Sequence, residues 1–156
     1  MLEIDIPGFA RLSLQHLVLD YNGTLALDGR LLPGVRRRLS TLSRALEIHV
    51  VTADTFGAAR AALAGLPCRA LILPARRQDR AKLAYVKRLG AARTACIGNG
   101  RNDRLMLKAA ALGIAVLQVE GAAGVTLAEA DIVIPAIAEA LDLLAKPLRL
   151  TASLRS

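Results

Sequence analysis

Short apolar runs alternate with longer stretches of helical periodicity along the chain. Leu14 to Asp20 is largely apolar and ends in a carboxylate, which predicts a strand. Glu47–Thr52, Arg69–Leu73, Thr94–Ile97, Gly113–Leu117 and Asp131–Ile134 predict five more. Helices are predicted between them. Pro33-Gly34 opens one that reaches about Ala45, and Asp54 or Thr55 caps another that runs to about Ala64 and stops at Gly65. Asp79 caps a third, which ends at Leu89 before Gly90. Asn102 or Asp103 starts a fourth, to about Leu112, and Pro135 suits the first turn of a last one. Asp28-Gly29 predicts a hairpin turn inside the Gly- and Asp-rich segment 21–32. This rhythm predicts an α/β fold, a doubly wound parallel sheet in three layers α/β/α. We expect one domain over 1–156, with its core at about 14–145 and a loose tail at 148–156. No repeat, low-complexity segment or interdomain linker is visible.

Composition sharpens this picture. Apolar residues make up 54% of the 156 and aromatics only 3%, so the core is aliphatic, as a parallel sheet covered on both faces requires. The net charge of +8 comes largely from dispersed arginines, with small clusters at Arg36–Arg38, Arg76-Arg77 and Lys87-Arg88. They read as solvated helix faces or as an attraction for anionic ligands. No basic run is interleaved with aromatics, so the pattern does not favour nucleic acid. Cys68 and Cys96 lack metal-ligand spacing and are too few for a disulfide framework, which fits a reducing cytoplasm. The N-terminal residues do not read as a signal peptide. The longest apolar stretch, Leu105–Val119, is broken by Lys108 and Gly113 and is too short to span a bilayer.

In an open parallel sheet, ligands bind beyond the carboxyl ends of the strands. The polar residues at those ends are Asp20, Thr52 and the loop from Gly98 to Asp103. A carboxylate ending an apolar strand can attack phosphorus as a nucleophile. Gly23 permits a sharp turn whose amides point at phosphate oxygens, and the Thr24 hydroxyl can support that turn. Without further support, Asp20 would read equally well as a cap for that turn. His16 and His49 lie within apolar strand patterns and read as structural, and Asp131 reads as a residue starting a strand.

Four segments, in order, carry a resemblance. Asp20-Tyr21-Asn22-Gly23-Thr24 resembles Asp-x-Asp-Gly-Thr. Thr52 closes an apolar strand. Lys82-Leu83-Ala84-Tyr85-Val86 resembles Lys-x-x-x-Val, and Gly98-Asn99-Gly100-Arg101-Asn102-Asp103 resembles Gly-Asp-Gly-x-Asn-Asp. Together they are similar to the motifs of the haloacid dehalogenase (HAD) superfamily, and Gly113–Val116 and Ala130–Ile134 continue the likeness to the phosphorylation domain of P-type ATPases. The match covers about residues 14–140 and resembles prokaryotic P-type ATPase-like phosphatases without a large cap.

The resemblance implies a Rossmann-like core and a Mg²⁺-dependent phosphohydrolase or phosphotransferase working through an aspartyl phosphate. It gives catalytic roles to Asp20, Asn22, Thr52 and Lys82. It places the substrate phosphate among Asp20, Tyr21, Asn22, Gly23, Thr52, Ala53 and Lys82. Mg²⁺ would be held by Asp20, the carbonyl of Asn22, Asn99 and Asp103. Lys87 competes with Lys82 for its role; the spacing from Val86 and from the glycine loop favours Lys82.

Two positions depart from the pattern. Asn22 stands where phosphatases of this superfamily carry an acid-base Asp, and such help is typically worth about 10²- to 10⁴-fold. Asn99 stands where a metal-binding Asp is usual, so the site brings less negative charge to a cation. Both imply slow turnover or a non-catalytic binding module. Only 27 residues separate Thr24 from Thr52, too few for the nucleotide-binding domain that P-type pumps insert there. Without a cap the site is expected to be open, to accept a phosphorylated small molecule or macromolecule, or to be covered by a second copy in a homo-oligomer. No Gly-x-x-x-x-Gly-Lys loop is present.

Overall fold

The computed structural model describes residues 1–53 and 57–156. The chain opens with an antiparallel hairpin, β1 (Leu2–Ile6) and β2 (Ala10–Leu14). The first strand was expected to begin at Leu14, but Leu14 closes β2 and the sheet strand β3 covers His16–Asp20. The hairpin has its own signal: Ile4, Ile6, Leu12 and Leu14 alternate with polar residues, and all four are buried.

β4 (Ala26–Leu27) and β5 (Arg30–Leu31) pair around Asp28-Gly29, both at positive φ as a tight hairpin turn demands. There follow α1 (Val35–Leu42), β6 (Glu47–Thr52), α2 (Ala58–Ala62), β7 (Cys68–Ile72), α3 (Gln78–Leu89), β8 (Thr94–Gly98) and α4 (Arg104–Ala109). The chain continues through β9 (Leu112–Val116), α5 (Gly124–Glu129), β10 (Ile132–Ile134), α6 (Ile137–Ala145) and α7 (Pro147–Leu154). The expected caps at Asp54 and Thr55 lie outside the described residues. Asp79 sits inside the first turn of α3, where a negative charge suits the helix dipole, and Gln78 begins the helix. The helix expected to reach Leu112 stops at Ala109, because Leu112 already pairs with Ala95 in the sheet.

The central sheet has six parallel strands in the order β10-β9-β8-β3-β6-β7. The first strand of the sheet, β3, therefore lies at the point where strand order reverses, the crevice position of doubly wound folds. Alternation along β3 splits the core. Leu17 and Leu19 face a layer with α1 and α6, while Val18 faces Tyr85 and Val86 of α3 and Met106 and Leu107 of α4. The tail expected at 148–156 is ordered as α7: Leu150 is fully buried, and the Ser156 amide donates to the Pro7 carbonyl. Among the described residues no helix is long and apolar enough to cross a membrane.

Candidate active site

Three chain segments bring their polar residues together at the carboxyl ends of β3, β6 and β8. Asp20 ends β3 and Thr52 ends β6, both almost fully buried, because their strands run apolar up to the sheet edge. Lys82 enters from α3. It is 0% exposed, and its Nζ lies 2.6 Å from Asp20 Oδ1 and 2.6 Å from Asp103 Oδ1. The competitor Lys87 is exposed on the far side of the helix. One buried ammonium thus spans two buried carboxylates, and the trio carries a net charge of −1.

The other oxygens are also held. Thr24 Oγ1 donates toward Asp20 Oδ2 at 3.1 Å, with Asn99 Oδ1 at 3.3 Å as its alternative acceptor. Asp103 Oδ2 accepts from the backbone amides of Asn99, 3.0 Å, and Gly100, 2.9 Å. Gly98 is required for this approach, since a Cβ there would lie 2.5 Å from the Asp103 carboxyl carbon. Burial and the neighbouring Asp103 push the Asp20 carboxyl up to about 7, although Lys82 and Thr24 pull the other way. Burial works to lower the Lys82 amine, but the two carboxylates outweigh it and hold it above its ordinary value.

Asp20, Asn22, Thr52, Ala53 and Asn99 line a cleft of about 270 Å³, together with Gln78, Gly100, Asn102 and Glu120. Four expected site residues do not line it: Tyr21, Gly23, Lys82 and Asp103. Tyr21 turns its ring into the core and donates its hydroxyl to the Gly29 carbonyl at 3.0 Å. Asp103 lies beneath the floor, fully buried, with its oxygens committed to Lys82 and two amides. It holds Lys82 and the glycine loop in place. Gly23 adopts φ 76°, and a Cβ there would strike the Glu120 carboxylate and the Asn99 amide, which places both groups directly over the turn.

Glu120 was not singled out in the sequence; it follows β9 by only four residues, and that position at a strand's carboxyl end was its signal. Gln118 was also missed. Its Nε2 donates to the Thr24 carbonyl and its Oε1 accepts from the Ile137 amide at 3.2 Å, which ties the turn after Asp20 to the start of α6.

Beside this cleft lies a second cavity of about 430 Å³, lined by Arg77, Arg101 and Arg104 with Ala75, Gln78, Asp79 and Asn102. Gln78 and Asn102 belong to both, joined by a 2.8 Å hydrogen bond that forms the sill between them. Arg104 Nε is buried with no hydrogen-bond partner among the described residues.

This architecture recurs in known proteins. The 3-deoxy-D-manno-octulosonate 8-phosphate phosphatase of Moraxella catarrhalis, solved with magnesium, phosphate and KDO, superposes with a TM-score of 0.68 at 18% identity, covering 90% of this chain and 91% of its own. The cobalt-bound deoxy-D-mannose-octulosonate 8-phosphate phosphatase of Haemophilus influenzae gives 0.71 at 16%, over 92% and 94%. The chain has the HAD fold. This HAD core also resembles part of a zinc-transporting PIB-type ATPase, with a TM-score of 0.59 and 28% identity over 79% of this chain and 20% of the pump. No family model matches the sequence. Among curated sequences, the uncharacterized protein MJ0073 of Methanocaldococcus jannaschii is 52% identical over 59 residues, 38% of this chain. That match spans 63% of the relative's own length. MJ0072 of the same organism is 46% identical over 39 residues, 25% of this chain and 89% of its own length.

Proposed function

We propose that this HAD core is a Mg²⁺-dependent phosphohydrolase or phosphotransferase for phosphate monoesters. The observation that carries this reading is the Lys82 ammonium bridging Asp20 and Asp103 at the strand-order reversal. In the first half-reaction an Asp20 carboxylate oxygen attacks phosphorus, the ester P–O bond breaks, and the leaving alcohol takes up a proton. Water then attacks phosphorus, releasing phosphate and restoring the carboxylate. Lys82 offsets the negative charge of nucleophile and phosphoryl group, and Thr52 hydrogen-bonds a phosphoryl oxygen.

Asp20, Asn22, Asn99 and Glu120 line the cleft, and each can offer an oxygen to a cation, the first and last through carboxylates and Asn22 through its backbone carbonyl. Such a hard donor set suits Mg²⁺. When bound, the ion supplies charge neutralisation for the transferring phosphoryl group. Glu120 brings the negative charge that position 99 lacks, and among the described residues it is the carboxylate that lines the cleft beside Asp20 and could exchange protons with the leaving group in place of Asn22. Asp103 supports the site through Lys82.

The adjoining arginine cavity points to substrates with a second anionic group. A phosphate in the cleft and a carboxylate or second phosphate across the Gln78–Asn102 sill would give the buried Arg104 Nε an acceptor. The site of action is the cytoplasm, whose reducing conditions suit the free Cys68 and Cys96. A second copy of the chain is the natural cover for the open cleft.

A phosphate-ester screen with Mg²⁺ tests the reading. Phosphate release that vanishes in Asp20→Asn supports it. Asn22 and Asn99 favour a rival, a non-catalytic binding module; absence of turnover together with no trapping of beryllofluoride would establish that rival.

A further inference from the structure

A second cluster lies at the opposite end of the sheet. His16 begins β3 and pairs in register with Glu47, which begins β6; His49 follows two residues later on the same face as Glu47. His16 Nδ1 is 3.2 Å from His49 Nε2, and Glu47 Oε2 is 3.8 Å from the first and 3.9 Å from the second. We propose that His16, Glu47 and His49 form a binding site for Zn²⁺ or a divalent ion of similar chemistry, separate from the catalytic cleft.

The triangle has the right size. A point in the plane of the three atoms and equidistant from them lies about 2.1 Å from each, given those separations. Zn–N bonds of about 2.0–2.1 Å and Zn–O bonds of about 2.0–2.2 Å fall in this range. Two imidazoles and one carboxylate are a common zinc donor set, and they leave a fourth position open to water on the side facing solvent.

Protonation state and orientation agree with this. Burial lowers His16 and lowers His49 to about 4, so both rings are neutral and offer lone pairs at neutral pH. The far nitrogen of His49 is anchored, because His49 Nδ1 lies 2.8 Å from the hydroxyl oxygen of Tyr85. With a cation on Nε2, His49 donates its Nδ1 proton to that oxygen, the outer partner that metal-binding histidines usually have. The present His16–His49 contact needs a proton on one facing nitrogen. Cation binding requires that proton to move to the other nitrogen of its ring, and His16, at 8% exposure, has solvent within reach to accept it. Arg69 competes for Glu47 at 3.8 Å, but its guanidinium is 73% exposed and can swing into solvent.

The site lies about 13 Å from Asp20, the rise of β3, so the two can be separated experimentally. Metal-stripped protein is titrated with Co²⁺ under saturating Mg²⁺, reading visible absorption and the number of ions bound. The expected result is one Co²⁺ with the intense absorption of low coordination number, in wild type and in Asp20→Asn alike. Glu47→Gln and His16→Asn should each weaken it by more than about 100-fold, and Tyr85→Phe by about 10- to 100-fold. Glu47 is surface-exposed, so its variant keeps the test intact if His16→Asn fails to fold. Absence of Co²⁺ binding, binding lost in Asp20→Asn, or binding unchanged in Glu47→Gln would overturn the proposal.

Discussion

Replacing Asp20 by Asn should make the metal-free protein more stable. The buried trio of Asp20, Lys82 and Asp103 carries one negative charge too many, and the excess falls on Asp20, whose carboxyl rises from 3.8 to about 7. A carboxyl that is raised in the folded state holds its proton more tightly there than in the unfolded chain. Stability therefore falls as pH climbs through the window from about 4 to about 7. At about 1.36 kcal/mol per pH unit, the full gap sets a ceiling of about 4 kcal/mol. Asp20→Asn removes this penalty and leaves Lys82 paired one-to-one with Asp103. The expectation is a gain of about 2–4 kcal/mol at pH 7 and above, shrinking by about 2 kcal/mol on going down to pH 5. Urea unfolding of both proteins in EDTA at pH 5, 6, 7 and 8 measures it. Parallel stability–pH curves for the two proteins would refute the reasoning, since they would show that Asp20 titrates alike in folded and unfolded chains. Added Mg²⁺ should flatten the wild-type slope if Asp20 ligates it.

Lys82→Met should act in the opposite direction, because it leaves two buried carboxylates without their cation; a loss of about 3–5 kcal/mol in chemical denaturation is expected, along with loss of phosphate release. Asn22→Asp should speed hydrolysis of an aryl phosphate by about 10²-fold or more, measured as kcat, and no gain in a folded protein would remove position 22 from the reaction. Gly23→Ala forces a methyl group against Glu120 and Asn99 at positive φ, so it should cost about 1–2 kcal/mol and lower activity beyond what Glu120→Gln alone does. Leu150→Ala should cost about 2–5 kcal/mol by thermal or urea melts, a value that a loose tail could not produce.

The six sheet strands were legible because each is an apolar run bounded by turn residues. That same pattern put Asp20, Thr52 and the glycine loop at one edge. Lys82 was found through its spacing from Val86, and the structure places it in contact with both carboxylates. The β1–β2 hairpin carries a readable apolar–polar alternation over five residues per strand, which the strand expected from Leu14 onward did not take in. Other features had no local signature: α5 spans six residues, too short for helical periodicity to register. Gln118 acts on a carbonyl 94 residues away, and nothing near it in sequence marks that. Tyr21 shows the reverse error: it neighbours Asp20 along the chain, yet strand alternation turns it to the other side of the sheet. Arg104 looks like any solvent-facing helix cation until its buried Nε, without a partner among the described residues, is seen beside the cavity.

One helix touches both ends of the molecule's chemistry. Lys82 and Tyr85 are three residues apart on α3 and so share a face; one grips the carboxylates of Asp20 and Asp103 and the other meets His49. A helix transmits displacement along its length much as a rod does. A shift of about 0.5 Å at Tyr85 would stretch the 2.6 Å contacts of Lys82 toward the outer range of a good hydrogen bond. Crowding or tightening at the amino ends of β3 and β6 would thus be felt as a change in grip on Asp20, with α3 serving as the lever.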